Sequence, residues 1–381
     1  MKLMSVVKLV RYSCSLALLG FAGASHAQSS VNLYGVLDTG LIFNNNSGGH
    51  STYQQISGVI SGNRWGFIGS EDLGGGMKAI FLLENGFNPS NGKLGQNGRM
   101  FGRQDYVGIS DDGFGTITFG RQYMTNIDYL SKIAIPYMAW ASPYDNDNMN
   151  NAYRAGNSVK YQSLNYSGFK FAGMYGFSNS ASSFNDSSVY SFSALYAHAG
   201  FTVATDYMQL NNPGSTSNPA GSVASGDATF YAGRQRTFGI GASYILGKSV
   251  IGVVFTQTNL SDATAIASYA AGTSSNLALT NGSARFRNYS INGSYRFTPA
   301  FLIAGSYTFT QARLNGVSPK YDQISTMADY AFSKRTDVYE QVAWQHVSDT
   351  GSSGITADLQ GFGASSTHSQ LVVTLGLRHR F

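Results

Sequence analysis

Hydrophobic and polar residues alternate along most of this chain, and the last eleven residues, from Leu371 to Phe381, show the pattern most clearly. Every second residue from Leu371 is apolar or aromatic except His379, whereas the residues between them are mostly small, polar or cationic. Successive side chains of a β-strand point to opposite faces of the sheet. The segment is therefore predicted to be a strand with one apolar and one polar face, as expected of a wall between lipid and water.

The same alternation predicts sixteen antiparallel strands, although fourteen or eighteen would fit the chain nearly as well. They comprise residues 31–44, 63–71, 77–87, 99–110, 115–122, 158–166, 170–177, 189–199, 201–210, 236–246, 249–258, 285–297, 301–312, 323–331, 337–347 and 369–381. Short, turn-rich connectors alternate with long ones, of which 211–235, 259–284 and 348–368 are the clearest. Short turns on one rim and long loops on the other are typical of a transmembrane β-barrel, and an even strand number puts both termini at the short-turn rim.

Composition supports this all-β interpretation. Charged residues make up 12% of the chain, about half of their usual share in globular proteins. Tyrosine and phenylalanine number 24 each and glycine 45, whereas proline numbers 7. No stretch downstream of the first 27 residues approaches 18 consecutive apolar residues, as a membrane-spanning helix would require. A large secreted all-β protein is the alternative that composition leaves open.

The first 27 residues have the features of a secretory signal peptide. Lys2, Lys8 and Arg11 make a cationic start, and an apolar stretch follows them. Residues 25–27, Ser-His-Ala, form a small-residue cleavage site. The apolar stretch is shorter than the roughly 20 residues of a spanning helix, although a retained anchor is the alternative. We expect residues 1–27 to be removed and residues 28–381 to form one barrel domain.

The exported part of the chain offers little chemistry for catalysis. The single cysteine, Cys14, lies in the predicted signal peptide, so neither a disulfide nor a thiolate metal site is expected. Loss of the three cations of the signal peptide lowers the net charge from +5 to +2, and no basic cluster typical of nucleic-acid binding is present. The histidines lack metal-ligand spacing, and no serine lies in a nucleophile-elbow motif. We expect no enzyme activity, no cofactor, no metal and no nucleic-acid partner.

Several segments resemble the general diffusion porins of Gram-negative outer membranes. They are residues 30–38 (SVNLYGVLD), 61–67 (SGNRWGF), 69–79 (GSEDLGGGMKA), 114–122 (FGTITFGRQ) and 376–381 (GLRHRF). The resemblance implies a sixteen-stranded homotrimer in the outer-membrane bilayer that passes ions and small hydrophilic solutes passively. It also implies that the barrel-assembly machinery reads the terminal strand, with Phe381 as its C-terminal signal, and that residues 88–98 form an intersubunit loop.

The longest segment without strand character near the start of the chain is residues 123–157, which carry Asp128, Asp145 and Asp147. A loop of this length is unusual unless it has a function. Folded inward, it would narrow a wide barrel without closing it. The resemblance places the family's constriction loop here, with the three aspartates as its acidic residues. A mobile surface loop is the alternative.

The resemblance further implies a row of basic residues on the barrel wall opposite that loop, at Arg64, Arg103 and Arg154. Strand parity supports Arg64, because Trp65 takes the lipid-facing position. Arg103 shares the parity of Val107 and needs a local irregularity or a position at the rim to point inward, and parity does not constrain Arg154. Arg121 has lipid-facing parity and ranks below these three.

Three arginines bias ion passage weakly. A guanidinium about 6 Å from an anion in water contributes roughly 0.7 kcal/mol, and three contribute about 2 kcal/mol. Screening at physiological salt halves this to about 1 kcal/mol, or about a five-fold preference. The expected function is therefore passive diffusion with a weak anion preference. A substrate-specific channel and a barrel plugged by its own residues are the alternatives, and single-channel conductance distinguishes the three.

Overall fold

Residues 29–134, 142–150, 153–181, 183–223, 225–270 and 273–381 are described by the computed structural model, so the predicted signal peptide lies outside the described residues. These residues form one sheet of eighteen antiparallel segments. The segments are β1 Ser30–Ser47, β2 His50–Ser57, β3 Arg64–Gly74, β4 Met77–Gly86, β5 Gln104–Asp111, β6 Gly115–Tyr123, β7 Arg154–Gln162, β8 Phe169–Gly176, β9 Val189–His198, β10 Phe201–Asn211, β11 Phe230–Tyr231, β12 Arg234–Leu246, β13 Ser249–Ala270, β14 Thr273–Arg296, β15 Phe301–Arg313, β16 Lys320–Ala331, β17 Thr336–Ser348 and β18 Ser369–Arg380.

Helical structure is confined to short turns in the described part of the chain. These are α-helical turns at Gly95–Gly98, Thr125–Asp128 and Ser131–Ala134 and 3₁₀ turns at Pro143–Asp145 and Ser225–Asp227. No helix among the described residues is both long and apolar enough to cross a membrane.

The eighteen segments make sixteen barrel strands, because two pairs of segments each act as one strand. Residues 39–47 of β1 pair with β2 and residues 30–36 pair with β3, so β2 and β3 share one position in the wall. β11 pairs with β13 beyond the end of β12 and extends that strand. The sheet closes where β18 pairs with β1, from Val36 opposite Arg380 to Asn44 opposite Val372. The predicted sixteen-stranded antiparallel barrel is confirmed.

The structure contains more strand than the sequence indicated in three places, of which the short β11, within the predicted connector 211–235, is the smallest. β2 was not predicted, and β13 and β14 continue to Ala270 and from Thr273, through most of the predicted loop 259–284. These extensions are rich in Ser, Thr, Ala and Asn, so they lack the lipid-facing apolar face on which the strand prediction depended. Backbone pairing and inward packing of Ile266 and Leu279 hold the long hairpin together.

Large apolar side chains lie exposed on the outer face of the wall, and polar side chains lie buried on its inner face. On β14, Tyr289 and Ile291 are exposed, whereas Asn288 and Asn292 are buried. On β15, Ile303 is exposed in the same way. This is the alternation of a barrel with lipid outside and a polar interior, and it positions every inward side chain discussed below.

A second long connector, residues 349–368 between β17 and β18, also folds inward. The backbone amide of Asp358 donates to Gln345 Oε1 at 2.7 Å, and that of Leu359 donates to Gln370 Oε1 at 2.7 Å. Leu359 and Phe362 pack in a buried cluster with Ile42, which faces the lumen from β1. Part of the lumen is therefore filled by loop residues.

Candidate channel constriction

The segment between β6 and β7 enters the barrel as soon as β6 ends. Met124 is fully buried, and Ser193 Oγ on β9 donates to Thr125 Oγ1 at 2.8 Å. Leu130 lies just before the following helical turn and Ile133 lies within it. Both are buried in a cluster with wall residues of β8, β10 and β13. These apolar side chains of the loop are buried because the loop lies against the inner wall of the barrel. The inward-folded loop of the predicted fold is confirmed.

The far part of this loop, residues 142–150, is fastened to β13 and β14 by hydrogen bonds. Thr256 Oγ1 donates to Asp147 Oδ2 at 2.7 Å, and Thr258 Oγ1 donates to the Asn146 carbonyl at 2.8 Å. Asn288 Nδ2 lies 2.8 Å from Asn146 Oδ1 and 3.1 Å from Asp147 Oδ2. The loop therefore spans from β6 to strands on another side of the barrel.

Arg64 on β3, Arg103 just before β5 and Arg154 on β7 lie together on the wall formed by β3 to β7. Arg103 Nε pairs with Glu84 Oε1 at 2.9 Å, and Arg64 Nε lies 3.4 Å from Glu84 Oε2. Arg103 also donates to Tyr123 OH at 2.6 Å. The guanidinium of Arg154 lies over the Tyr123 ring, 5.3 Å from its centroid. The structure thus brings the three predicted arginines into one cluster.

Arg103 turns inward because it is not part of a strand. β5 begins at Gln104, after an irregular segment, so the parity of Val107 does not extend to Arg103. This is the local irregularity that the sequence required. Arg121, by contrast, keeps its outward parity and pairs with Asp227 at 2.6 Å, beside Arg99. It lies outside the cluster.

The three aspartates of the loop have different hydrogen-bond and ion-pair partners. Asp128 pairs with Lys160 at 2.9 Å, and Asp145 accepts a hydrogen bond from the Asn150 amide at 2.9 Å. Asp145 and Asp147 are 2% and 4% exposed, so they do not line open solvent. Burial raises the pKa of the Asp147 carboxyl above its ordinary value, against the lowering effect of its hydrogen bonds.

Sequence reasoning missed Glu84, which links two of the arginines. It also accepts a hydrogen bond from Tyr34 OH at 2.7 Å. Glu84 lies in the predicted strand 77–87, and a carboxylate near the middle of a membrane-spanning strand is less costly on the lumen side than on the lipid side. That signal could have found it. Lys160 and Asp227 were also missed, and the partner of Asp227 could not be inferred because it lies 106 residues away in the chain.

Phe381 lies at the seam where the barrel closes. Its backbone amide donates to the Gly35 carbonyl at 3.1 Å and its carbonyl accepts from the Gly35 amide at 3.0 Å. A Cβ at position 35 would lie 2.2 Å from Phe381 Cζ, so glycine leaves the space that the terminal ring occupies.

Comparisons with known proteins agree with this architecture. The Gram-negative porin family matches residues 14–350. An outer membrane porin protein of Bordetella pertussis is 30% identical, with 96% of this chain and 97% of that protein covered. Outer membrane porin protein 32 of Delftia acidovorans is 28% identical, with 96% and 98% covered. Among solved structures, the anion-selective porin from Comamonas acidovorans superposes with a TM-score of 0.73 at 22% identity, covering 93% of this chain and all of that one. OmpT of Vibrio cholerae, in its trimer form, gives 0.66 at 16% identity, with 93% and 99% covered.

Proposed function

The chain belongs to the Gram-negative porin family, and we propose that it forms a channel of the outer membrane that weakly prefers anions among the ions and small hydrophilic solutes it passes. The observation that carries the preference is the grouping of Arg64, Arg103 and Arg154 on one inner wall. Arginine stays charged at every relevant pH, and its planar fork offers several donors to a passing anion.

The charges of the cluster set the size of this preference. Glu84 offsets one of the three cations, which leaves a net charge of +2. At about 6 Å in water two charges contribute about 1.4 kcal/mol, and screening at physiological salt reduces this to about 0.7 kcal/mol, or about a three-fold preference. Asp145 and Asp147 are buried in hydrogen bonds, and Arg103 and Arg154 are also buried, at 7% exposure each, so Arg64 is the most accessible cation of the cluster.

The reversal potential of single channels in a KCl gradient tests this assignment. Arg64→Ser combined with Arg154→Ser should move the potential towards cations, whereas Arg335→Ser, at the short-turn rim between β16 and β17, should leave it unchanged. An unchanged potential in the double variant would remove these arginines from the conduction path.

A substrate-specific channel is the second candidate, favoured by the narrowing of the lumen by two inward loops. It predicts block of the current by one class of solute at low concentration, whereas a diffusion channel gives large ohmic steps without saturation. The family and its fold are known as channels rather than enzymes, and we assign no catalytic role.

We also propose that the chain assembles as a homotrimer through the loop 88–98, that residues 1–27 are its signal peptide, and that Phe381 is its signal for the barrel-assembly machinery. The trimer form of the Vibrio cholerae OmpT supports the first point by likeness of fold. The position of Phe381 at the closing seam supports the last. A slower, heat-sensitive band on a gel of unheated protein tests the trimer.

A further inference from the structure

The helical turn Ser131–Ala134 and the leucine before it pack into a gap that glycines leave on the inner wall. On β12, a Cβ at Gly239 would lie 2.4 Å from Leu130 Cδ2, and one at Gly241 would lie 3.1 Å from Leu130 Cδ1. On β13, a Cβ at Gly252 would lie 3.0 Å from the carbonyl oxygen of the loop residue at position 133. Glycine within a strand often marks a site that another part of the structure approaches closely. Here the approaching part is the inward loop.

This packing decides which side of the turn faces the channel. Leu130 and Ile133 are buried against the wall, at 0% and 3% exposure. With 3.6 residues in a helical turn, successive side chains are rotated by about 100° about the helix axis. Lys132 therefore points away from the face that Leu130 and Ile133 share, and its side chain is exposed. It projects from the loop into the lumen.

Lys132 is the accessible charge of this loop. Between β6 and β7 the chain carries only three other charged side chains, Asp128, Asp145 and Asp147. Asp128 is paired with Lys160, and the other two aspartates are 2% and 4% exposed. In the described part of the chain no carboxylate lies within ion-pair distance of Lys132. The accessible charge of the loop is therefore positive, although its aspartates outnumber its one lysine.

A wall carboxylate also lies at this turn, but on the side away from the lumen. Asp206 Oδ1 on β10 would be 2.3 Å from a Cβ at Gly239, so it lies beside the same gap that receives Leu130. Asp206 is 3% exposed. It is covered on the wall side of the turn, whereas Lys132 lies on the lumen side.

The turn that carries Lys132 lies on the opposite side of the barrel from Arg64. The turn contacts β12 and β13, which are the tenth and eleventh of the sixteen strands when β2 with β3 and β11 with β12 each count as one. Arg64 begins β3 and so belongs to the second strand. Eight or nine positions around a ring of sixteen separate opposite sides. An ion that passes through the lumen therefore meets an accessible cation on each side of it.

We propose that Lys132 is a further determinant of ion selectivity, with which the inward loop strengthens the anion preference of the channel. This inference rests on the function proposed above for the arginine cluster. It reverses the sign of charge that the three aspartates predicted for the loop. One charge about 6 Å from an anion, screened at physiological salt, changes the preference about two-fold.

The test uses Lys132→Cys, because the one native cysteine, Cys14, lies in the predicted signal peptide. The reversal potential of single channels in a KCl gradient is recorded before and after a methanethiosulfonate reagent is added. A reagent that attaches a trimethylammonium group restores a cation and should raise the anion preference about two-fold, whereas one that attaches a sulfonate should lower it about two-fold. Both changes arise in one folded channel, so they report charge. Lys334→Cys, in the turn between β16 and β17, is the control and should respond to neither reagent.

Mass spectrometry of the treated protein shows whether the thiol has reacted, and an unreacted thiol at position 132 would overturn its placement in the lumen. A constant reversal potential after modification, in a channel whose anion preference Arg64→Ser lowers, would overturn the role of Lys132 and leave the proposed function standing. A wild-type channel without anion preference would contradict the proposed function and this inference with it.

The packing of the turn is tested separately. Gly239→Val fills the gap that receives Leu130, so it should displace the turn and lower the single-channel conductance. Leu130→Ala removes as many carbons as Gly239→Val adds, and the double variant should regain the wild-type conductance because the total volume is conserved. Gly173→Val on β8 is the control, because a Cβ at Gly173 has no neighbour within 4 Å. Failure of the double variant to regain conductance would overturn the role of the glycine gap in presenting Lys132.

Discussion

Thr256 Oγ1 on β13 donates a 2.7 Å hydrogen bond to Asp147 Oδ2, which joins the inward loop to a wall strand 109 residues further along the chain. The wall is rigid because backbone hydrogen bonds between neighbouring strands run around the whole closed sheet, whereas the loop is held by a small number of side-chain contacts. The position of the loop in the lumen, and with it the cross-section of the channel, therefore depends on such bonds.

Thr256→Val should loosen the loop without disturbing the barrel. A hydrogen bond to a charged group contributes about 1.5–3 kcal/mol, so the population of displaced loop should rise more than ten-fold. We expect more frequent brief closures in single-channel recordings. Thr308→Val is the matched control, because Thr308 is buried on the same inner face but bonds to Ser290. An equal frequency of brief closures in both variants would contradict an anchoring role for Thr256.

The docking of the loop should depend on pH through Asp147. Burial raises the pKa of this carboxyl in the folded protein above 3.8, its ordinary value. The docked state therefore binds a proton more tightly than the released state, and docking weakens as pH rises from about 3.8 through the raised pKa. Closures of the wild-type channel should become rarer on acidification across that window. Asp147→Asn should flatten the dependence, and an unaltered pH profile in this variant would assign the titration to another group.

Glu84→Gln should increase the preference for anions. The variant removes the one negative charge that touches both Arg64 and Arg103, so the net charge of the cluster rises from +2 to +3. The expected preference rises from about three-fold to about five-fold, seen as a shift of the reversal potential towards anions. Glu340→Gln is the control, because Glu340 lies exposed on the outer face of β17. A shift towards cations would contradict the proposed role of the cluster.

Opposite faces of the wall should respond oppositely to a new charge. Ile291 is 52% exposed on the lipid side of β14, and Ile291→Arg should lower the free energy of unfolding by about 2–4 kcal/mol. Ser306→Arg, on the inner face of β15 next to it, should have a much smaller effect on unfolding in urea and lipid vesicles. Similar losses in both variants would contradict the assigned faces.

The features that the sequence predicted correctly are those that depend on neighbouring residues along one strand. The alternation around residues such as Ile291 and Ile303 predicted the strands, because lipid and water on opposite sides impose a period of two on each strand separately. The same logic fails for β2 and for the ends of β13 and β14, which rise beyond the membrane and pair without a lipid-facing side. Arg103 and Arg154 were predicted as residues of the basic wall from the resemblance to the porin family, and not from strand parity.

The sequence by itself therefore determined the barrel class and the outward or inward direction of most side chains, because these follow from each residue and its immediate neighbours. It left fourteen, sixteen or eighteen strands open, and the pairing of strands around the closed sheet decided for sixteen. Only the tertiary structure decided that Glu84 joins two arginines, that Asp147 is buried against Thr256, and that Leu130 packs against Gly239. These relationships depend on strand register and on the path of loops across the lumen, which closure of the whole barrel sets. The alternation of residues along one strand therefore does not predict which distant residues lie together in the closed barrel.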